Sequence, residues 1–143
     1  SLLDMRVAEN NFLQEALDSK VSIIARTPLN FGFLAENFPL DVEFPIDDHR
    51  SLWSVAKLHH WIKGANIMLK AAGVRDLNCL NERVSASLRF CMSFKSVAST
   101  IPGMLNTRQV LLNLEAVECE KFNYEELTKL RLAYNNWTKS ELS

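Results

Sequence analysis

Only two stretches of this chain read as full β-strands, and a proline turn closes each of them. Residues 21–26 (VSIIAR) form a β-branched run whose two faces both look apolar, as in a parallel strand covered on both sides. Pro28 forbids its continuation. Residues 97–101 (VASTI) form the second run, stopped by Pro102-Gly103. Residues 1–3 (SLL) read as the tail of a third strand. Strands alternating with helical segments indicate parallel α/β construction. Two strands and a stub are too few for a stable sheet covered on both faces. The expectation is therefore an incomplete sheet whose remaining strands lie outside this sequence.

Helical periodicity fills most of the rest. Residues 9–17 place Phe12, Leu13, Ala16 and Leu17 on one face. Residues 51–72 are the longest candidate, with Leu58, Ile62, Ala65, Leu69 and Ala72 at three- to four-residue spacing and Gly73 as a C-terminal stop. Residues 81–93 turn Val84, Leu88 and Cys91 or Met92 inward. Asn106 or Thr107 caps a helix running to about Glu115. Asn123 with Glu126 is a capping-box start for a last helix lined by Leu127, Leu130 and Tyr134. Between the first strand and the long helix lies a loop, residues 27–50, with three prolines. Loops of that length in a compact domain are usually functional, or else mark a wrong assignment of elements. Its apolar residues, Phe31, Phe33, Leu34, Phe38, Leu40 and Phe44, mean that it packs on something.

Composition narrows the function classes. The 143 residues suit one domain, 1–143, and 8 Phe with 3 Trp supply enough apolar surface to order it. A net charge of −1 without a basic stripe speaks against nucleic acid and against a polybasic membrane surface. No apolar run approaches the ~20 residues that span a bilayer. Asp4, Arg6, Glu9, Glu15 and Asp18 make a poor secretory leader. Three cysteines without CxxC spacing suit free thiols in a reducing, cytoplasmic setting.

Two turns carry the chemistry. Ligands of parallel sheets bind beyond the carboxyl ends of the strands. Arg26-Thr27-Pro28-Leu29-Asn30-Phe31-Gly32 is one such end. Its Thr27 and Asn30 can hydrogen-bond a phosphate, and Gly32 lets backbone approach. The other runs from Thr100 through Gly103, Met104 and Leu105 into the helix bearing Arg108, Gln109 and Asn113. A helix N-terminus presents free N–H groups and partial positive charge to an anion. The plain alternatives are a structural turn and an ordinary N-cap. Asp47-Asp48-His49-Arg50 reads as a loop ion pair or cap rather than a catalytic group. His59 and His60 are adjacent on a helix and point ~100° apart, so they do not chelate one ion together. The sequence has no GxSxG, P-loop or HExxH motif.

These segments, in order, resemble the C-terminal half of an aldo/keto reductase. SLLD, VSIIARTPLNFGFL, DHRSLW, SASLRFCMS and VASTIPGMLNTRQVLLNL carry the resemblance, which covers nearly all of residues 1–137. It implies an α/β fold, the C-terminal half of a (β/α)8 TIM-type barrel incomplete in this chain, from the end of strand six through the C-terminal helix. It implies NADP(H) or NAD(H) as cofactor and a small aldehyde or ketone as substrate. It assigns Arg26 to the nicotinamide and Thr27, Leu29 and Asn30 to the pyrophosphate. Gly103, Met104 and Leu105 fall at the adenosine-side phosphate, and Gln109 and Asn113 at the 2′-phosphate or adenine. Gln109 stands where a cation is common, and Leu112 where an acid is common, which weakens NADP selectivity. Phe31 and Phe33 are expected to wall the substrate pocket. The catalytic Asp, Tyr, Lys and His of such enzymes lie on earlier strands, so the chain, which opens at Ser1 in mid-strand, is expected to be a truncated and inactive portion. The alternative is a non-catalytic half-barrel remnant, a binding or assembly module whose open sheet edge is covered by a partner chain.

Overall fold

Local chemistry sets each element boundary. The computed structural model describes residues 1–140. Two short helices, α1 (Arg6–Glu9) and α2 (Phe12–Asp18), precede strand β1 (Ile23–Arg26). The long loop follows, containing two 3₁₀ turns, Asn30–Gly32 and His49–Leu52. Helix α3 (Val55–Ala71) starts where the Ser54 hydroxyl accepts from the Lys57 N–H, and stops at Gly73, which takes φ +85°. Helix α4 (Leu80–Met92) leads to strand β2 (Val97–Ile101). Asn106 caps α5 (Thr107–Glu118) by accepting from the Gln109 N–H. Helix α6 (Tyr124–Ser140) begins with the expected capping box. Asn123 N–H donates to Glu126 Oε2 at 2.8 Å, and Glu126 N–H donates to Asn123 Oδ1 at 3.0 Å.

The two strands pair in parallel, with Arg26 opposite Ile101 and Ala25 opposite Thr100. Ile23 pairs with Val97 and Ile24 with Ser99, so Ala98 bulges out of the ladder. The sheet is covered on one face only. Ile24 is 59% exposed and Ile101 55%.

The main core lies elsewhere. Leu2, Leu3 and Met5 pack with Phe33 and Leu34 of the loop, Ile62, Met68 and Leu69 of α3, Phe90 of α4, and Leu130 and Trp137 of α6. Helices α3 and α6 meet very closely at Gly64. A Cβ there would overlap the Trp137 indole at Cζ2, so glycine is what lets the ring sit this close. A smaller core joins Val84 and Leu88 of α4 to Leu112 and Ala116 of α5, with Leu29 and Ala35 against it.

This architecture corrects the barrel expectation. The chain forms a mostly helical small α/β domain, with 55% of residues in helical turns and a two-strand parallel sheet among the described residues. It is not half of a (β/α)8 barrel. The reason is where the apolar side chains go. Residues 1–3 form a turn, closed by Asp4 N–H to Ser1 O at 3.1 Å, which buries Leu2 and Leu3 in a helical core instead of extending a sheet. The first strand is four residues long and alternates half-buried with exposed, so it is not sheathed on both sides. The helix expected over 9–17 is two helices, and of its apolar face only Ala16 is buried, with Phe12 50% exposed. The helix expected from Ser51 starts at Val55, because Asp48 first caps the 3₁₀ turn and Ser54 then provides a second cap.

Candidate functional site

Beyond the carboxyl ends of β1 and β2 opens a cleft of about 960 Å³. The turn after β1 forms one wall and the turn into α5 another. Val84 and Leu112, from the smaller core, lie beneath them. Of the residues singled out in the sequence, Arg26, Thr27, Leu29, Asn30, Gly103, Leu105, Gln109 and Asn113 all line this one cleft. Met104 does not, and its side chain is half exposed beside it. Two segments more than seventy residues apart are brought together by the parallel pairing of their strands, since Arg26 and Ile101 are register partners.

The first turn is wound tightly. Thr27, Asn30 and Phe31 take φ of +50°, +44° and +57°, and Gly32 takes +93°. The left-handed region is unusual for asparagine and rare for a β-branched or bulky residue. Turn hydrogen bonds close the segment, from Asn30 N–H to Thr27 O at 3.0 Å and from Gly32 N–H to Leu29 O at 3.0 Å. The result puts Asn30 on the cleft wall while leaving it only 6% exposed. Its amide Nδ2 is buried with no hydrogen-bond partner. A buried amide donor left unpaired costs on the order of 1–3 kcal/mol. The Arg26 guanidinium, at the end of β1, makes no hydrogen bond or ion pair with the described residues.

The second turn is held by the residues that the resemblance had assigned to the cofactor. Gln109 Oε1 accepts from the Leu105 N–H at 2.6 Å, while Asn106 Oδ1 accepts from the Gln109 N–H at 3.0 Å. Asn113 is buried, and its Nδ2 donates to Gly103 O at 3.3 Å. In this structure both side chains shape the turn. The Asn106 side chain thus takes the Gln109 N–H at the start of α5, and Thr107 and Arg108 stand outside the cleft lining.

The acid-and-base run resolves as the plain reading had it. Asp48 caps the 3₁₀ turn by accepting from the Arg50 N–H at 2.9 Å and pairs with the Arg50 guanidinium at 2.6 Å. That side-chain hydrogen bond holds its carboxyl down to about 2. His49 lines the cleft at an exposed position, with Nδ1 3.6 Å from Asp48, too far for a hydrogen bond. Phe31 also lines the cleft, its ring edge-on to His49 and Trp53 at 5.5 and 5.2 Å. Phe33 does not. It is buried at 1% exposure and stacks on Trp53, so the expected two-phenylalanine pocket wall reduces to Phe31.

Sequence reasoning missed Arg83. Helical periodicity put its neighbour Val84 inward and ignored the arginine, yet its side chain is among the most buried. Burial lowers its pKa to about 10, so it stays charged at neutral pH. The guanidinium donates to the carbonyls of Phe33, Ala35, Glu36 and Leu77. Three of those lie in the loop behind the cleft turn. An arginine on an apolar helical face was the available signal, since a buried guanidinium must find several acceptors.

Among the described residues no cluster of three metal-ligating side chains occurs, and no helix is long and apolar enough to cross a membrane. His59 Nε2 lies 2.9 Å from Leu40 O, while His60 stacks near Trp137. Cys79, Cys91 and Cys119 are free thiols. No protein-family model matches the sequence, and a search of curated proteins finds no match either.

Proposed function

We propose that the strand-end cleft binds a nicotinamide dinucleotide, NADP(H) or NAD(H), along its two turns. In this reading the chain is the cofactor-binding portion of an aldo/keto-type reductase of small aldehydes or ketones. The observation that carries it is the Asn30 amide, a buried donor without a partner on the cleft wall. It shares that cleft with Arg26 at the end of β1. An amide and a guanidinium together suit the oxygens of a pyrophosphate. Phe31 offers an apolar ring beside them. The cofactor, when bound, supplies the hydride. The chain supplies binding and orientation, because no Asp, Tyr, Lys and His set converges on the cleft among the described residues. With Gln109 and Asn113 committed to the turn and Arg108 outside the cleft lining, a 2′-phosphate is weakly recognised. The free thiols fit a reducing, cytoplasmic setting. Titration of the full chain with NADPH and NADH, followed by fluorescence, tests the reading. Saturable binding weakened by Asn30→Ala supports it, and absence of binding overturns it.

A second reading has its own observation. The sheet face leaves Ile24 and Ile101 exposed, and on α5 Leu111, Leu114 and Val117 are each more than half exposed. A binding or assembly module would cover that surface with a partner chain. Sedimentation separates the two readings, since a strict monomer that binds NADPH has no need of the partner.

A further inference from the structure

We infer that Arg50 is the positioning residue of the cleft, a latch that holds the left-handed turn and thereby presents the Asn30 amide to a ligand. The argument begins with a conformation that needs an explanation. Thr27, Asn30 and Phe31 all sit at positive φ within five residues. Backbone of that kind persists only where its surroundings over-determine it. The turn's own hydrogen bonds close it but leave the Phe31 carbonyl free. Arg50 takes that carbonyl, donating from Nη1 at 2.8 Å across nineteen residues of chain.

The guanidinium is itself fixed on three sides. Nε and Nη2 donate to the two Asp48 oxygens at 3.0 and 2.6 Å, a two-pronged contact that sets the plane of the fork. The face of the fork lies 4.0 Å above the Phe44 ring, and Phe38 stands 5.5 Å away. The turn reaches close enough that a Cβ on Gly32 would fall 3.2 Å from Nη1. Gly32 is thus required by its φ and by the approach of the arginine. Arg50 points into the chain of contacts from Asp48 to Phe31, and Asn30 is the residue next to that carbonyl. Lysine cannot replace it, because one ammonium cannot grip both carboxylate oxygens and the carbonyl in a plane.

The inference rests on the proposed function only for the identity of the ligand. The experiment compares the full chain with Arg50→Met, Arg50→Lys and Asp48→Asn. Amide hydrogen exchange is read at Asn30, Gly32, Phe33 and Leu34, whose N–H groups all donate within the turn. NADPH affinity is read in parallel, at a temperature where near-ultraviolet dichroism shows each variant folded. The expected result is exchange at these four amides at least tenfold faster in Arg50→Met, with α3 and α6 unchanged. Arg50→Lys fails to restore protection, and Asp48→Asn falls between. NADPH affinity drops at least tenfold in step. If Arg50→Met does not fold, Asp48→Asn carries the same comparison. Unchanged exchange at the four amides overturns the latch. Faster exchange with undiminished NADPH binding overturns its positioning role. If the unaltered chain binds no NADPH, the proposed function falls and exchange alone decides the latch.

Discussion

Arg83 Nη2 and the Phe33 carbonyl oxygen are 2.8 Å apart, joined across fifty residues of sequence in the buried interior. That contact, with its neighbours to Ala35 and Glu36, fixes the loop immediately after the left-handed turn. Arg50 fixes the turn itself through Phe31. The cleft wall is therefore suspended between two arginines, one on α4 and one in the 3₁₀ turn before α3.

Arg83→Met should unfold the chain at lower denaturant. It leaves several buried carbonyls without a donor, at a cost on the order of 3 kcal/mol or more in total. Urea denaturation monitored by tryptophan fluorescence measures this. A midpoint equal to that of the unaltered protein would show that water replaces the guanidinium without loss.

Gly64→Ala should destabilise by about 1–3 kcal/mol through overpacking. Its Cβ would overlap the Trp137 ring, which is buried where α3 meets α6 and must shift to make room. The thermal midpoint reads the effect directly, and the second substitution Trp137→Leu should relieve part of it.

The Asp48 carboxyl, held to about 2 by Arg50, fixes an acid dependence. An unfolded aspartate protonates near 3.9. The folded state therefore binds fewer protons between those values. The stabilisation is whole above about pH 4 and is lost as pH falls toward 2. A carbon-13 titration of this carboxyl should show a midpoint near 2. In Arg50→Met it should return toward the ordinary aspartate value.

The 143-residue chain should not oxidise NADPH with any of a broad panel of aldehydes and ketones. Turnover above the buffer background would mean that the chain holds a proton donor at the cleft, and His49 would be the first residue to replace.

Much of this molecule was legible in its sequence, but only where the signal is local. Val97–Ile101 was read to the residue, and the caps at Asn106 and Asn123 and the stop at Gly73 follow from side-chain chemistry within four residues. The juxtaposition of the two turns was also readable, because parallel strands bring their carboxyl ends together. What escaped depends on distant partners. Whether Leu2 and Leu3 extend a sheet or enter a helical core depends on α3 and α6, and the chain chose the core. The commitment of Gln109 and Asn113 to the turn needs Leu105 and Gly103 in place. Arg83 finds its acceptors in a loop nearly fifty residues upstream, which no helical period reveals.

The central claim is that the cleft takes a nicotinamide dinucleotide, and a titration of the full chain with NADPH tests it most directly. The account predicts a saturable signal that weakens about tenfold in Asn30→Ala, the worth of one recovered hydrogen bond. No saturable binding below about 1 mM, or binding indifferent to Asn30, would contradict it.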